Sequence, residues 1–313
     1  MLEHETKIII IILFLIIILF ILYLPPLLTY KNLPKLINNK KNNLILYRTF
    51  HDRTVTKKMF NNCHQKWLDL NPGLVIEWYT DKDCDKYMST TFKVLYGIYK
   101  TLKPGAFKAD LFRLCILYER GGIYADACTM PYKSIKWMLE DCYKNKERQE
   151  QKFISVLDSS YSGGGIHNGF IYCTPKHPFI KACIDTIIEN VVTKNYTNCV
   201  LGVTGPICLR NSIFNVLLKN GKIPDNSISL GMNAKPSKNY NYDNGEFIFK
   251  EGFNDYEEYS FYLFKFKYGP SQFIYKNDTI IMSKKHCLVS YLLDKLKPNT
   301  YTKQWTNKDI YNL

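Results

Sequence analysis

The sequence predicts an α/β fold, a sheet begun by parallel strands with helices packed on it, and three observations predict it. Short apolar runs alternate with helix-period stretches: Leu44–Tyr47, then Met59, Phe60, Cys63, Trp67 and Leu68, then Leu74–Trp78. Phe107–Met130 reads as a helix, a Gly121-Gly122 turn and a short buried strand ending at Asp126. The chain has 313 residues, 46% hydrophobic and 15% aromatic, enough for one large core or two small ones.

Taken in order, residues 1–7 form a tail, and 8–24 is an uninterrupted apolar run bounded by Lys7 and by Pro25-Pro26. Seventeen residues is at the short end of what spans a bilayer, so the run is expected to be an N-terminal transmembrane anchor; a cleaved signal peptide is its rival, although no small-x-small site follows. Residues 25–43, rich in Lys and Asn with little to bury, read as a stem. The folded domain is expected over 44–313. Its first strand leads into Arg48-Thr49, and Asn71-Pro72-Gly73 closes the first helix. Trp78-Tyr79-Thr80-Asp81 then opens a second helix with Thr80 or Asp81 as cap.

In the central stretch Phe107, Leu111, Leu114, Cys115 and Tyr118 recur at three- and four-residue spacing, which leaves Asp110 and Arg113 off the packed stripe. Gly121-Gly122 closes the helix and turns the chain, so Asp126 ends a strand, at the sheet edge where open α/β proteins bind ligands. A surface ion pair and a turn residue are the plainer reading of the same three side chains.

Beyond this stretch, Phe153–Leu157 and Gly169–Cys173 read as strands, and Pro178–Val192 and Pro206–Asn220 as helices opened by Pro. From about residue 221 the pattern weakens into short strands and loops.

Together, Lys108-Ala109-Asp110-Leu111-Phe112-Arg113 and Gly121-Gly122-Ile123-Tyr124-Ala125-Asp126-Ala127-Cys128 resemble the DXD sugar-binding region of glycosyltransferase family 32. The resemblance covers about residues 44–220 and implies a GT-A-like nucleotide-sugar-binding sheet flanked by helices. It implies transfer of a hexose from a nucleotide-sugar donor to a glycan or glycoprotein acceptor, with retention. It assigns Asp110 to donor-sugar hydroxyls, Arg113 to the sugar or diphosphate, and Asp126 to the ribose or a metal-bound water. Tyr124 would line the pocket, Asn168 contact the sugar, Trp78 lie near the base, and Trp305 close over the nucleotide from the tail. Family members hold a divalent metal, Mn²⁺ or Mg²⁺, with Asp-x-Asp. Here Asp126 and Cys128 occupy those places, and a thiol suits softer metals, which puts the metal in doubt. Lys303, two residues before Trp305, is a candidate to supply the missing charge.

The net charge of +14 is spread without a dense basic block and no nucleic-acid motif accompanies it, so nucleic acid is not an expected partner. Ten cysteines lack zinc-site spacing. The anchor makes the lipid bilayer an expected partner and the chain a single-pass membrane protein. Lysines after the apolar run favour a cytosolic catalytic domain, whereas the family resemblance favours a secretory lumen. Two other classes stay open: a catalytically silent sugar or nucleotide binder, which Cys128 favours, and a membrane-bound scaffold.

Overall fold

A computed structural model describes residues 44–51, 53–144, 149–158, 165–223, 249–267, 272–284 and 300–312. The first strand, β1 (Ile45–Thr49), lies parallel to β2 (Val75–Tyr79) and to β3 (Gly122–Ala125). Helix Arg53–Leu70 makes the first crossover, and helices Asp81–Thr91, Lys93–Thr101 and Gly105–Arg120 make the second. The helix at Asp81 starts on a capping box, in which the Thr80 hydroxyl accepts from Asp83 N–H and the Asp83 carboxylate accepts from Thr80 N–H.

The rest of the sheet departs from the parallel start. It comprises β4 (Thr129–Pro131), β5 (Phe153–Asp158), β6 (Gly165–Ile166), β7 (Phe170–Cys173), β8 (Gly252–Asn254), β9 (Phe261–Lys267), β10 (Phe273–Lys276) and β11 (Thr279–Lys284). The path runs β2-β1-β3-β7-β5-β9-β10-β11-β4, with β6 on β5 and β8 on β9. Only the β5–β9 pair is parallel in this half. The remaining ladders of this half are antiparallel among the described residues, and in one of them Asn277 and Asp278, at φ of 47° and 61°, form a two-residue connection between β10 and β11.

β3 lies mid-path and β4 at its far end, yet only residues 126–128 separate them. The sheet therefore curls until β11 and β4 return beside β3. Leu46, Ile123, Ala125, Val156, Phe170, Phe264, Ile274 and Met282 form the core inside this curve, with Trp67, Ile135 and Met138 from flanking helices.

The central helix, Gly105–Arg120, buries Phe107, Leu111, Leu114 and Cys115 as its spacing requires, and Phe112, Ile116 and Leu117 as well, because helix Pro178–Val192 covers a second side. Gly121 and Gly122 adopt φ of 62° and 99°, and an added Cβ would sit 2.7 Å from Pro175 N and 2.9 Å from Ile45 O, respectively. Glycine is required at both, and the pair sets where β3 begins.

The expected anchor and stem, residues 8–24 and 25–43, lie outside the described residues. Among the described residues no helix is long and apolar enough to cross a membrane. The longest, Arg53–Leu70, carries Lys66 and Asp69 among its charged positions. The expectation of a single-pass membrane protein bound to a lipid bilayer is corrected to that extent: the described residues do not support it.

Candidate active site

The turn between β3 and β4 is built before any ligand is considered. Thr129 N–H donates to Asp126 O at 2.9 Å, closing the turn. Arg48, fully buried at the end of β1, donates through Nη2 to the carbonyls of Asp126, Ala127 and Thr129 at 2.9, 2.6 and 3.2 Å. Trp67 Nε1 adds a bond to Thr129 O at 3.0 Å. Trp78 supports Arg48 from below, its ring 4.7 Å from the guanidinium carbon, while its own Nε1 donates to His64 Nδ1. Trp78 thus lies one layer beneath the turn.

Asp126 projects from this pinned turn. Its Oδ1 lies 3.3 Å from Arg113 Nη1 and its Oδ2 2.9 Å from Lys284 Nζ. Arg113 also donates to Asn168 O at 2.8 Å and to Ala109 O at 3.2 Å, and its Nη2 stands 3.3 Å from Asp110 Oδ1. Its guanidinium carbon lies 4.4 Å from the Tyr124 ring centre. Tyr124, buried, shares a hydrogen bond at 2.8 Å with Thr49 Oγ1. Asp110 accepts from Asn168 Nδ2 at 2.9 Å and from Thr204 Oγ1 at 2.8 Å. The structure therefore joins Asp110, Arg113, Tyr124, Asp126 and Asn168 in one cluster.

The two carboxylates are pushed apart. Burial raises Asp110 to about 6 against the pull of Arg113 and its hydrogen bonds. Burial would raise Asp126 too, but Lys284 and then Arg113 hold it well below the usual carboxylate range. Burial, then Lys284, pulls His167 down to about 3, leaving it neutral. Arg113 and Lys284 thus face the two carboxylates while Arg48 holds the carbonyls of the turn, and the surplus of three cations over two carboxylates suits an anionic ligand.

A divalent metal fits this donor set poorly. Both Asp126 oxygens face cations, the side chain at the second position of the motif is the Cys128 thiol, and among the described residues no group of three His, Cys, Asp or Glu side chains converges on one point. Cys128 is half-buried, its carbonyl facing Cys63 Sγ at 3.8 Å.

Among the described residues no contact joins Lys303 or Trp305 to the cluster. Lys303 is exposed on helix Tyr301–Thr306, and Trp305 donates to Tyr196 O at 2.6 Å. Sequence reasoning missed Lys284, which the ladder register brings to Asp126. The Asn277-Asp278 step between two short apolar runs was the available signal for the hairpin that delivers Lys284.

Residues 57–150 match the family model described as a glycosyltransferase sugar-binding region containing the DXD motif. Over 85 residues the chain is 31% identical to an initiation-specific alpha-1,6-mannosyltransferase of Candida albicans, covering 26% of this chain and 22% of that protein. Over 98 residues it is 30% identical to a human alpha-1,4-N-acetylglucosaminyltransferase, covering 31% and 22%. The chain thus spans about a fifth of the length of the curated relatives it matches. Among solved structures, the PaToxG glycosyltransferase aligns at TM-score 0.38 and 15% identity over 60% of this chain and 73% of that one. The UDP-bound glycosyltransferase domain of the YGT toxin aligns at TM-score 0.24 and 12% identity, over 52% and 40%. The family match bears out the resemblance read from the sequence. It includes Asp110, Arg113, Tyr124, Asp126 and Cys128 and stops short of Asn168, Thr204 and Lys284.

Proposed function

We propose, from the glycosyltransferase sugar-binding region at residues 57–150, that this chain moves a hexose from a nucleoside-diphosphate sugar to a glycan or glycoprotein hydroxyl. The observation that carries the reading is the meeting of Asp110, Arg113 and Asp126 at the carboxyl end of β3, on a turn that buried Arg48 and Trp67 hold rigid.

In such a transfer negative charge builds on the departing diphosphate, and stabilisation comes from cations fixed in place before the reaction. Arg113 is suited to that task. Four of its contacts fix the guanidinium, and its position over the Tyr124 ring leaves little freedom to reorganise. Asp110 is suited to orienting a sugar hydroxyl. A carboxylate offers about four acceptor sites. Asn168, Thr204 and Arg113 address three of them in this side chain. Asp126, ionised throughout the working pH range, is suited to the ribose hydroxyls of the donor. A divalent ion, as the family resemblance implies, would supply charge to the diphosphate, but the donor set around Asp126 does not suit it, and no step here depends on it.

A catalytically silent nucleotide-sugar binder is the second reading, favoured by the thiol of Cys128 where the motif has a carboxylate. The test is transfer from a panel of nucleotide sugars to free glycans, with the anomeric configuration of the product read by proton NMR. Product of retained configuration supports the full reading. Tight nucleotide-sugar binding with no transfer or hydrolysis would favour the silent binder.

A further inference from the structure

We propose that the Lys284 ammonium occupies the place of a divalent ion beside Asp126 and, with Arg113, receives the donor's diphosphate. This inference rests on the transferase reading above.

The placement follows from register. In the β11–β4 ladder Lys284 pairs with Thr129, so the last residue of β11 stands against the turn that carries Asp126. Its Nζ lies 2.9 Å from Asp126 Oδ2 and 2.8 Å from His167 Nε2. Room for this convergence comes from Gly169. A Cβ there would lie 2.4 Å from Asp126 Oδ2, 2.6 Å from His167 Cε1 and 2.8 Å from Lys284 Nζ.

The chemistry favours an ammonium that is held but not saturated. An ammonium has three N–H donors, and Asp126 takes one. The His167 ring is also addressed by Gly169 N–H, which donates to Nδ1 at 2.9 Å. A neutral imidazole has a single acceptor nitrogen, so it cannot satisfy both Gly169 and Lys284. Lys284 therefore retains donors for an incoming anion, and with its side chain 14% exposed it is within reach of solvent. A metal ion bound through Asp126 Oδ2 would have to displace this ammonium and would find a soft thiol at Cys128 as its next neighbour in the motif. The positive charge that a metal would bring is already covalently attached.

The test is calorimetric binding of UDP and of GDP to the full chain in chelator and in excess Mn²⁺, for wild type, Lys284→Met and Lys284→Arg, with Mn²⁺ uptake followed separately by electron paramagnetic resonance. The inference expects the wild type to bind at least one diphosphate equally well in both media and to take up no Mn²⁺ without nucleotide. Lys284→Met is expected to lose affinity in chelator by about ten- to hundredfold, the worth of a hydrogen bond to a charged group, while Lys284→Arg keeps most of it. Wild-type binding that chelator abolishes and Mn²⁺ restores would overturn the inference and leave the transferase reading standing, as would undiminished binding by a folded Lys284→Met. Binding of neither diphosphate in either medium would overturn both.

Discussion

Removing Arg113 tests whether the cluster is held together by one buried cation. Its side chain is 9% exposed and faces Asp110 Oδ1 and Asp126 Oδ1 at 3.3 Å each, donates to Asn168 O at 2.8 Å and lies over Tyr124. Arg113→Ala leaves Asp110 without a cation in a site whose burial already raises it to about 6. Truncating one partner of a buried, hydrogen-bonded ion pair typically destabilises by about 3–5 kcal/mol. A domain of ordinary stability, about 5–15 kcal/mol, survives that loss with a reduced margin. Chemical denaturation of wild type, Arg113→Ala, Asp110→Asn and the double variant measures it. Neutralising Asp110 in the Arg113→Ala background is expected to recover about 1 kcal/mol or more, because the stranded charge is then gone. A loss below about 1 kcal/mol for Arg113→Ala, with no coupling in the cycle, would refute the argument and return Arg113 to the rank of a solvated surface pair.

The raised Asp110 makes a signed pH prediction: its native form binds a proton more tightly than the ordinary 3.8, so the stability it contributes is fully present below about 3.8 and is lost as pH rises to about 6. Turnover is expected to move the other way, rising with an apparent midpoint near pH 6 as the carboxylate becomes able to accept sugar hydroxyls, and Asp110→Asn should remove both dependences in denaturation and pH–rate profiles. Gly169→Ala adds a methyl 2.4 Å from Asp126 Oδ2, 2.6 Å from Cε1 of the buried His167 ring and 2.8 Å from Lys284 Nζ, so all three must shift, and UDP or GDP affinity is expected to fall by about tenfold in the folded variant. Unchanged affinity in a calorimetric titration would show that the Asp126–Lys284 contact is dispensable.

The elements legible in the sequence are those whose cause is local. The apolar spacing of Phe107, Leu111, Leu114 and Cys115 matches their burial, the Gly121-Gly122 break sits at positive φ, and Thr80 caps its helix through its own side chain. Asp110, Arg113, Tyr124 and Asp126 lie within seventeen residues, so one helix, one turn and one strand suffice to bring them together. Asn168 follows because β7 pairs with β3. Lys284 was illegible for the opposite reason. Its place depends on the curl that returns β11 and β4 to β3, a pairing between residues more than 150 positions apart that no local pattern encodes. Lys303 was a lysine in the right sequence neighbourhood of a tail tryptophan, but helix Tyr301–Thr306 docks through Trp305 on Tyr196 and leaves Lys303 exposed. The antiparallel half of the sheet was hidden likewise, since alternation along one strand says nothing about which neighbour it will pair with.

The central claim, that the Asp126 cluster carries out chemistry on a nucleotide sugar, is tested most directly by nucleoside diphosphate release. Wild type and Asp126→Asn, matched for folded fraction, are incubated with UDP- and GDP-hexoses and the freed diphosphate is quantified by chromatography. Release from at least one donor by the wild type, reduced by about a hundredfold or more in Asp126→Asn, is the expected result. Release at equal rates by both proteins, or by neither with any donor, would contradict it.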